Sequence, residues 1–206
     1  CHAGFGGEDP ATGEYYCFLE TIAGGYGARS SSDGPDAVQS HGQNTENAPV
    51  EETESNYPVR ITRYELVPDS EGPGKFRGGL GLRRDYMFPN DATFTILADR
   101  DRAGPRGLFG GERGSRSVYA LIRDAKEEHL SSKTTVQLKP GDVISYRTSG
   151  GGGYGRPFDR TPSQVLEDFK QGKISFERAQ QVYGVKIDRK SLKIDDSGTA
   201  ELRHGS

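Results

Sequence analysis

Seven consecutive positions, His41-Gly42-Gln43-Asn44-Thr45-Glu46-Asn47, place an imidazole, three side-chain amides, a hydroxyl and a carboxylate in one short stretch. Asn44 and Asn47 are residue types that orient a carbonyl, and His41 is one that transfers a proton. The same residues also suit a polar loop in which Asn and Thr side chains support turns. Glu46, Glu51, Glu52 and Glu54 follow closely and would either hold a divalent cation or form a solvated face. The four histidines, His2, His41, His129 and His204, are scattered, and no pair has metal-ligand spacing. A metal site built wholly from this chain is therefore not expected. Cys1 beside His2 offers an N-terminal nucleophile or simply the first residue of the sequence. There is no Gly-X-Ser-X-Gly elbow.

Glycine is the other conspicuous residue. The clusters Gly24-Gly25-Tyr26-Gly27, Gly72 to Gly81 and Gly150 to Gly155 invite a phosphate-loop reading. A phosphate loop needs its glycines between a strand and a helix N-terminus, usually with Lys and Ser or Thr. None of the three fits, since even the Gly150 cluster is separated from the next helix by Arg156 to Arg160. Close approach of backbone, to another chain segment or to a ligand, is the expectation.

Composition sets the frame. Hydrophobic residues are 32% of 206, with 29 glycines and a mean hydropathy of -0.76. Large apolar side chains are scarce, so a thin core is expected, buried against more of the chain or against a partner. The 11 prolines and 28% charged residues lean toward disorder, but the β-type segments and the 10 Tyr and 9 Phe oppose it. A net charge of -3 and only short, interrupted basic runs argue against nucleic acid as a partner. No apolar stretch approaches the ~20 residues of a membrane helix. Two cysteines point to a reducing cytoplasm rather than a disulfide framework. The chain opens without Met or a signal-peptide pattern, so upstream residues are expected.

These residues must be positioned by strands. Apolar or alternating runs predict strands near 15–19, 58–67, 82–88, 92–98, 118–122, 134–138 and 143–146, separated by glycine turns. Thr161 is an N-cap with Pro162 behind it, and Val165, Leu166 and Phe169 make one apolar face before Gly172. Ser175 caps a second helix that ends at Gly184. The expected fold class is α+β, predominantly antiparallel β with glycine-rich loops and two short C-terminal helices. It divides into a β-rich region 1–160, a helical hairpin 161–185 and a polar tail 186–206 expected to fray.

Six segments occur in the order and spacing of one family: Glu20 to Arg29, His41 to Glu51, Phe76 to Arg84, Gly107 to Gly114, Ser132 to Tyr154 and Tyr183-Gly184-Val185. Together they resemble the C-terminal part of the hydantoinase B/5-oxoprolinase B-subunit family, whose relatives include N-methylhydantoinase B, caprolactamase and the acetone and acetophenone carboxylases. The resemblance implies part of an ATP-dependent cyclic-amide (lactam) hydrolase. In it ATP and Mg2+ sit on an A-type subunit, which phosphorylates the substrate oxygen. It further implies a divalent metal in the N-terminal half of the B subunit, in an Asp- and His-rich segment that nothing here matches. The implied partners are that A-type subunit, the N-terminal half and a small cyclic amide, in a cytoplasmic hetero-oligomer; this chain alone is expected to be inactive. A component of a biotin-independent ATP-dependent ketone carboxylase, and a purely structural assembly module, remain alternatives. Within this family reading the site candidates are Glu20 for charge placement, Arg29 for anion contact, and His41, Asn44 and Asn47 for polar orientation or proton transfer.

Overall fold

The computed structural model describes all residues but 41, 44, 205 and 206, and leaves aside the side chain of residue 204. The architecture is α+β and mainly antiparallel. Strands β1 (His2–Glu8), β2 (Tyr15–Thr21), β5 (Ala92–Leu97) and β8 (Lys133–Leu138) form a four-stranded sheet in the order β2-β1-β5-β8. Strands β3 (Arg60–Leu66), β4 (Leu82–Met87), β6 (Val118–Arg123), β7 (Lys126–Leu130) and β9 (Val143–Arg147) form a five-stranded sheet in the order β3-β4-β9-β6-β7. A short helix α1 (Val50–Asn56) lies between β2 and β3 in the chain.

Strand alternation sends every second side chain inward. Ala3 and Phe5 of β1, Phe94 and Ile96 of β5, Tyr86 of β4, Tyr119 of β6 and Ile144 and Tyr146 of β9 share one apolar cluster, so the two sheets pack face to face. The Phe5 ring stands 5.4 Å from Phe88 and 5.9 Å from Tyr86, in edge or tilted geometry that aromatic pairs favour. Aromatics thus supply the volume that aliphatic residues do not.

The glycine clusters lie against one another, not against open space. Gly79 N–H donates to Tyr26 O (2.8 Å), Gly151 N–H to Gly79 O (2.8 Å), Gly72 N–H to Gly151 O (2.7 Å) and Gly153 N–H to Glu112 O (3.0 Å). Four separate stretches of chain satisfy one another's backbone groups in this way, outside any named strand. A Cβ on Gly79 would stand 1.8 Å from Pro35 O, and one on Gly151 would stand 1.9 Å from Tyr26 O. Neither distance admits a carbon atom, so the bundle exists only with glycine at these positions.

Helices α2 (Pro162–Lys170) and α3 (Phe176–Gln181) follow, with Thr161 and Ser175 accepting hydrogen bonds as N-caps. A small second cluster, including Val165, Ala179, Tyr183 and Val185, is their core. Charge fastens it to the glycine bundle. Asp168 of α2, 5% exposed, accepts from Arg77 Nε and Arg160 Nε at 3.0 Å each. Arg77 also holds Asp36 (2.7 Å) and Arg160 holds Asp33 (2.7 Å), so acids and guanidinium groups alternate. Burial acts to raise the Asp36 carboxyl, but the Arg77 and Leu80 hydrogen bonds and the Arg77 charge outweigh it and hold it below its ordinary range.

Several elements depart from expectation, among them the short helix α1. β1 is a strand although Gly4, Gly6 and Gly7 dilute it, because Ala3 and Phe5 provide its buried face. β7 carries Lys126, Glu127, Glu128 and His129 and lies at a sheet edge, where charged strands are tolerated. The described part of the polar tail is structured: it forms a hairpin of β10 (Ile187–Asp188) and β11 (Lys193–Ile194) and a helix α4 (Asp196–His204). Ile187 and Ile194 join the helical-hairpin core, which anchors it.

Two outcomes test this account. Gly79→Ala and Gly151→Ala each lower unfolding stability in urea by about 3 kcal/mol. Gly42→Ala, whose Cβ meets nothing within 4 Å, changes it by less than ~0.5 kcal/mol; equal losses at all three positions would contradict the interlock. A carboxyl with a depressed folded pKa contributes stability that is present above the unfolded value and lost as pH falls through the folded one. Asp36→Asn therefore gives a shallower stability loss below about pH 3.8 than the parent protein, measured by pH-dependent denaturation.

Candidate functional site

At one end of the sandwich the inward-facing positions turn from aromatic to charged. Glu20 of β2 and Arg84 of β4 are both buried there, 6% and 0% exposed. Glu20 Oε2 lies 3.4 Å from Arg84 Nη1 and accepts from the Ala48 N–H at 3.3 Å. Its Oε1 accepts from the Tyr86 hydroxyl in a very short hydrogen bond. Burial first, and then the Glu20 charge, push the Tyr86 hydroxyl well above its usual pKa, so it stays protonated and donates. Arg84 Nη1 donates to Ala48 O at 2.9 Å. Glu20 and Arg84 thus grip the backbone of Ala48 from both sides and fix the end of the 41–48 loop.

Tyr64 of β3 stands opposite Arg84 in the β3–β4 register. The Arg84 guanidinium lies 4.8 Å from the centre of the Tyr64 ring. The Tyr64 hydroxyl accepts from Asn47 Nδ2 at 3.1 Å. Asn47 Oδ1 in turn accepts from Ala23 N–H (3.2 Å) and Gln39 Nε2 (3.4 Å), and Gln39 Nε2 also donates to Thr21 O (2.7 Å).

These groups wall a cavity of about 570 Å3, lined also by Ser40, Thr45 and Glu46. Tyr64 is 48% exposed, and its hydroxyl accepts from Asn47 and has no acceptor for its proton among the described residues. Glu46 is the one ionisable acid in this wall, and no Lys or Arg lines it among the described residues. The arrangement suits a small neutral molecule with a carbonyl and an N–H, held by a phenol, amides and hydroxyls. Among the described residues it contains no nucleophile paired with a base.

Two of the five residues singled out from the sequence meet in this structure: Glu20 beneath the loop and Asn47 in the cavity wall. His41 and Asn44 lie outside the described residues, although Ser40 and Thr45 beside them line the cavity. Arg29 is exposed on another turn, where its N–H donates to Ser32 O at 2.9 Å, and it is not part of the cavity wall. Tyr64, Gln39 and Arg84 were not singled out. Strand alternation from Val59 and Ile61 puts Tyr64 on the opposite face, but a register shift between Ile61 and Arg63 brings it to the same face as Ile61, against Arg84.

Among the described residues, neither the glycine bundle at Gly151 and Gly153 nor any side-chain cluster fits a phosphate group or a metal ion. Gly151 and Gly153 spend their N–H groups on other backbone carbonyls, so the bundle has no phosphate cradle there. No group of three or more His, Cys, Asp or Glu among the described residues is placed to hold a metal.

The Hydantoinase B/oxoprolinase family profile matches residues 1–157. The chain belongs to this family. It is 38% identical over 193 residues to the putative D-/L-hydantoinase B subunit of a Pseudomonas species, covering 92% of this chain and 32% of that protein. The crystal structure of the ATP-dependent caprolactamase from Pseudomonas jessenii superposes with a TM-score of 0.84 at 28% identity, over 98% of this chain and 37% of that one. Nucleotide-free acetone carboxylase superposes with a TM-score of 0.86 at 22% identity, over 99% of this chain and 32% of that one, which shows a shared fold. The chain therefore spans about a third of the length of these relatives.

Within the hydantoinase B-type fold Glu20 has a structural assignment. Glu20→Ala leaves Arg84 buried without its counter-charge and lowers stability by roughly 3–5 kcal/mol in denaturant unfolding. A loss below about 1 kcal/mol would mean that the pair does not hold the loop.

Proposed function

We propose that this chain is the C-terminal portion of the B subunit of an ATP-dependent cyclic-amide hydrolase of the hydantoinase/5-oxoprolinase type. The observation that carries this reading is the likeness to a hydantoinase B subunit across 92% of the chain. The cavity supports it. Its phenol, amide and hydroxyl groups match the carbonyl and N–H of a lactam.

The chemistry needs a partner. An amide carbonyl is a poor electrophile, and an ATP-binding A-type subunit, carrying Mg2+, would phosphorylate the amide oxygen to lower the barrier to attack by water. This chain's own residues bind and orient. Tyr64 donates to the substrate carbonyl, Asn47 holds the Tyr64 hydroxyl, and the Glu20–Arg84 pair keeps the loop in register. The same reading puts a divalent metal in the N-terminal half of the B subunit and the assembly in the cytoplasm.

The test is turnover by the native B subunit with and without its A-type subunit, on 5-oxoproline, hydantoins and caprolactam, and on acetophenone with bicarbonate. The expected result is ATP-coupled opening of one cyclic amide by the complex alone. Turnover that requires bicarbonate and consumes the ketone would replace this reading with the carboxylase one. Tyr64→Phe removes one hydrogen bond to a neutral group. It raises KM about tenfold in an intact complex and leaves kcat within a few-fold. An unchanged KM with impaired assembly would instead make the region an assembly module.

A further inference from the structure

Ala23, Gln39, Asn47 and Tyr64 all line the cavity, and the direction of the hydrogen bonds that join them is dictated by the backbone. A backbone N–H can only donate and a backbone carbonyl can only accept. Ala23 N–H lies 3.2 Å from one terminal atom of the Asn47 side chain, so that atom is the amide oxygen. Gln39 agrees with this. Thr21 O, at 2.7 Å, fixes the Gln39 Nε2 group as a donor, and the same group points at Asn47 Oδ1 at 3.4 Å. The other end of Asn47 is then its NH2 group, which donates to the Tyr64 hydroxyl at 3.1 Å. Tyr64 oxygen is the acceptor in that pair, and its proton has no acceptor among the described residues.

The supports of this run are themselves held. Ala23 is 4% exposed, and its carbonyl accepts from Thr148 Oγ1 at 2.8 Å. Ile22 N–H donates to Cys1 O at 2.8 Å, and Gly25 N–H donates to Ser149 O at 2.9 Å, which ties the segment to the glycine bundle. On the far side the Tyr64 ring lies against the Arg84 guanidinium, which Glu20 and Ala48 O hold. Asn47 is the chain neighbour of Ala48, whose N–H and carbonyl are both engaged. Turning the amide over would set its NH2 group against the Ala23 N–H, donor against donor, and would leave that N–H without its acceptor. The orientation of Asn47 is therefore imposed by the fold and not by what enters the cavity.

We propose that Asn47 is a positioning residue that makes the Tyr64 hydroxyl an obligate donor toward the cavity, so that the substrate atom facing Tyr64 is a hydrogen-bond acceptor, the carbonyl oxygen of a cyclic amide. The proposal rests on the reading of this cavity as the substrate site. What Asn47 supplies is polarity, not shape. Aspartate is nearly isosteric with asparagine, but both of its terminal oxygens accept. It draws the Tyr64 proton to itself and turns a phenol lone pair toward the substrate carbonyl. Alanine removes the amide and leaves the hydroxyl free to rotate and donate. The near-isosteric change thus does more harm to binding than the truncation, the reverse of what a packing role requires.

The test uses the native B subunit in complex with its A-type subunit, on the cyclic amide that the complex opens. Asn47→Asp raises KM by more than about tenfold, at least as far as Tyr64→Phe does, and Asn47→Ala raises it by less than about fivefold. In the Tyr64→Phe background, Asn47→Asp changes KM by less than about twofold, because the hydroxyl through which it acts is gone. With tyrosine carrying 13C at Cζ, Asn47→Asp also shifts the Tyr64 resonance of the complex, as a phenol that turns from accepting to donating requires. An Asn47→Asp loss that persists in full in the Tyr64→Phe background, or a larger loss with Asn47→Ala than with Asn47→Asp, would overturn the proposal and leave the enzyme reading intact. An unmoved Tyr64 resonance in Asn47→Asp would overturn it whatever the kinetics. Failure of the wild-type complex to open any cyclic amide would overturn the enzyme reading and the substrate contact together.

Discussion

Backbone can touch backbone only where no side chain intervenes, and that exclusion governs this molecule. Segments from four distant parts of the chain meet in the glycine bundle, with Gly79, Gly151, Gly72 and Gly153 donating across it. A sheet built from ordinary residues satisfies its polar groups in a plane. A bundle of glycine segments does so in several directions at once, because no Cβ holds the chains apart. The cost is entropic, since glycine loses the most freedom on folding. The return is rigidity in segments without regular secondary structure, and the cavity and the exposed turn at Phe109 both depend on it. One wall of the cavity runs from Ala23 into the Gly24–Val38 bridge, and the Phe109 turn hangs from Gly153 and Gly155.

Where glycine cannot supply burial, ion pairs supply connection. Asp33, Arg160, Asp168, Arg77 and Asp36 alternate in sign across the seam between the bundle and the helical hairpin. A buried guanidinium without a counter-charge is costly, and a pair with its hydrogen bonds satisfied is close to neutral against an apolar alternative. What such a chain of charges fixes is register, because each fork accepts its carboxylates in one geometry. Glu20 and Arg84 repeat the device at the other end of the sandwich, where they hold Ala48 and with it the polar loop. Both clamps join segments far apart in the chain, which is why neither appears as a local motif.

The sequence is legible where one local rule decides. The strands of the five-stranded sheet from Leu82, Val118 and Val143 follow from short runs of strand-forming residues between turns, and Thr161-Pro162 and Gly172 bound the first of the two helices. It is illegible where context decides. In β1, Ala3 and Phe5 suffice for a buried face once β2 and β5 flank them, yet glycine hides the alternation. In α1, Thr53 is the one buried residue of seven, so no apolar stripe announces a helix. In the polar tail, Ile187 and Ile194 are too far apart for a periodic signal and meet only across a hairpin. Asn47 could be picked out by its residue type and neighbours. Tyr64 could not, because the bulge that brings it to the face of Ile61 leaves no mark in the alternation of its strand.

The cavity wall bears on how labour is divided. A group that binds an amide need only complement its carbonyl and N–H, and this is the role proposed for the wall that Tyr64, Asn47 and Glu46 form. A group that cleaves an amide must also stabilise charge that develops on oxygen and deliver a nucleophile. The described wall has neither a cation nor a nucleophile–base pair, and Arg84, against the Tyr64 ring, is committed to Glu20 and Ala48. On the proposed reading this wall binds and orients a neutral substrate, and the activating charge comes from outside the described residues.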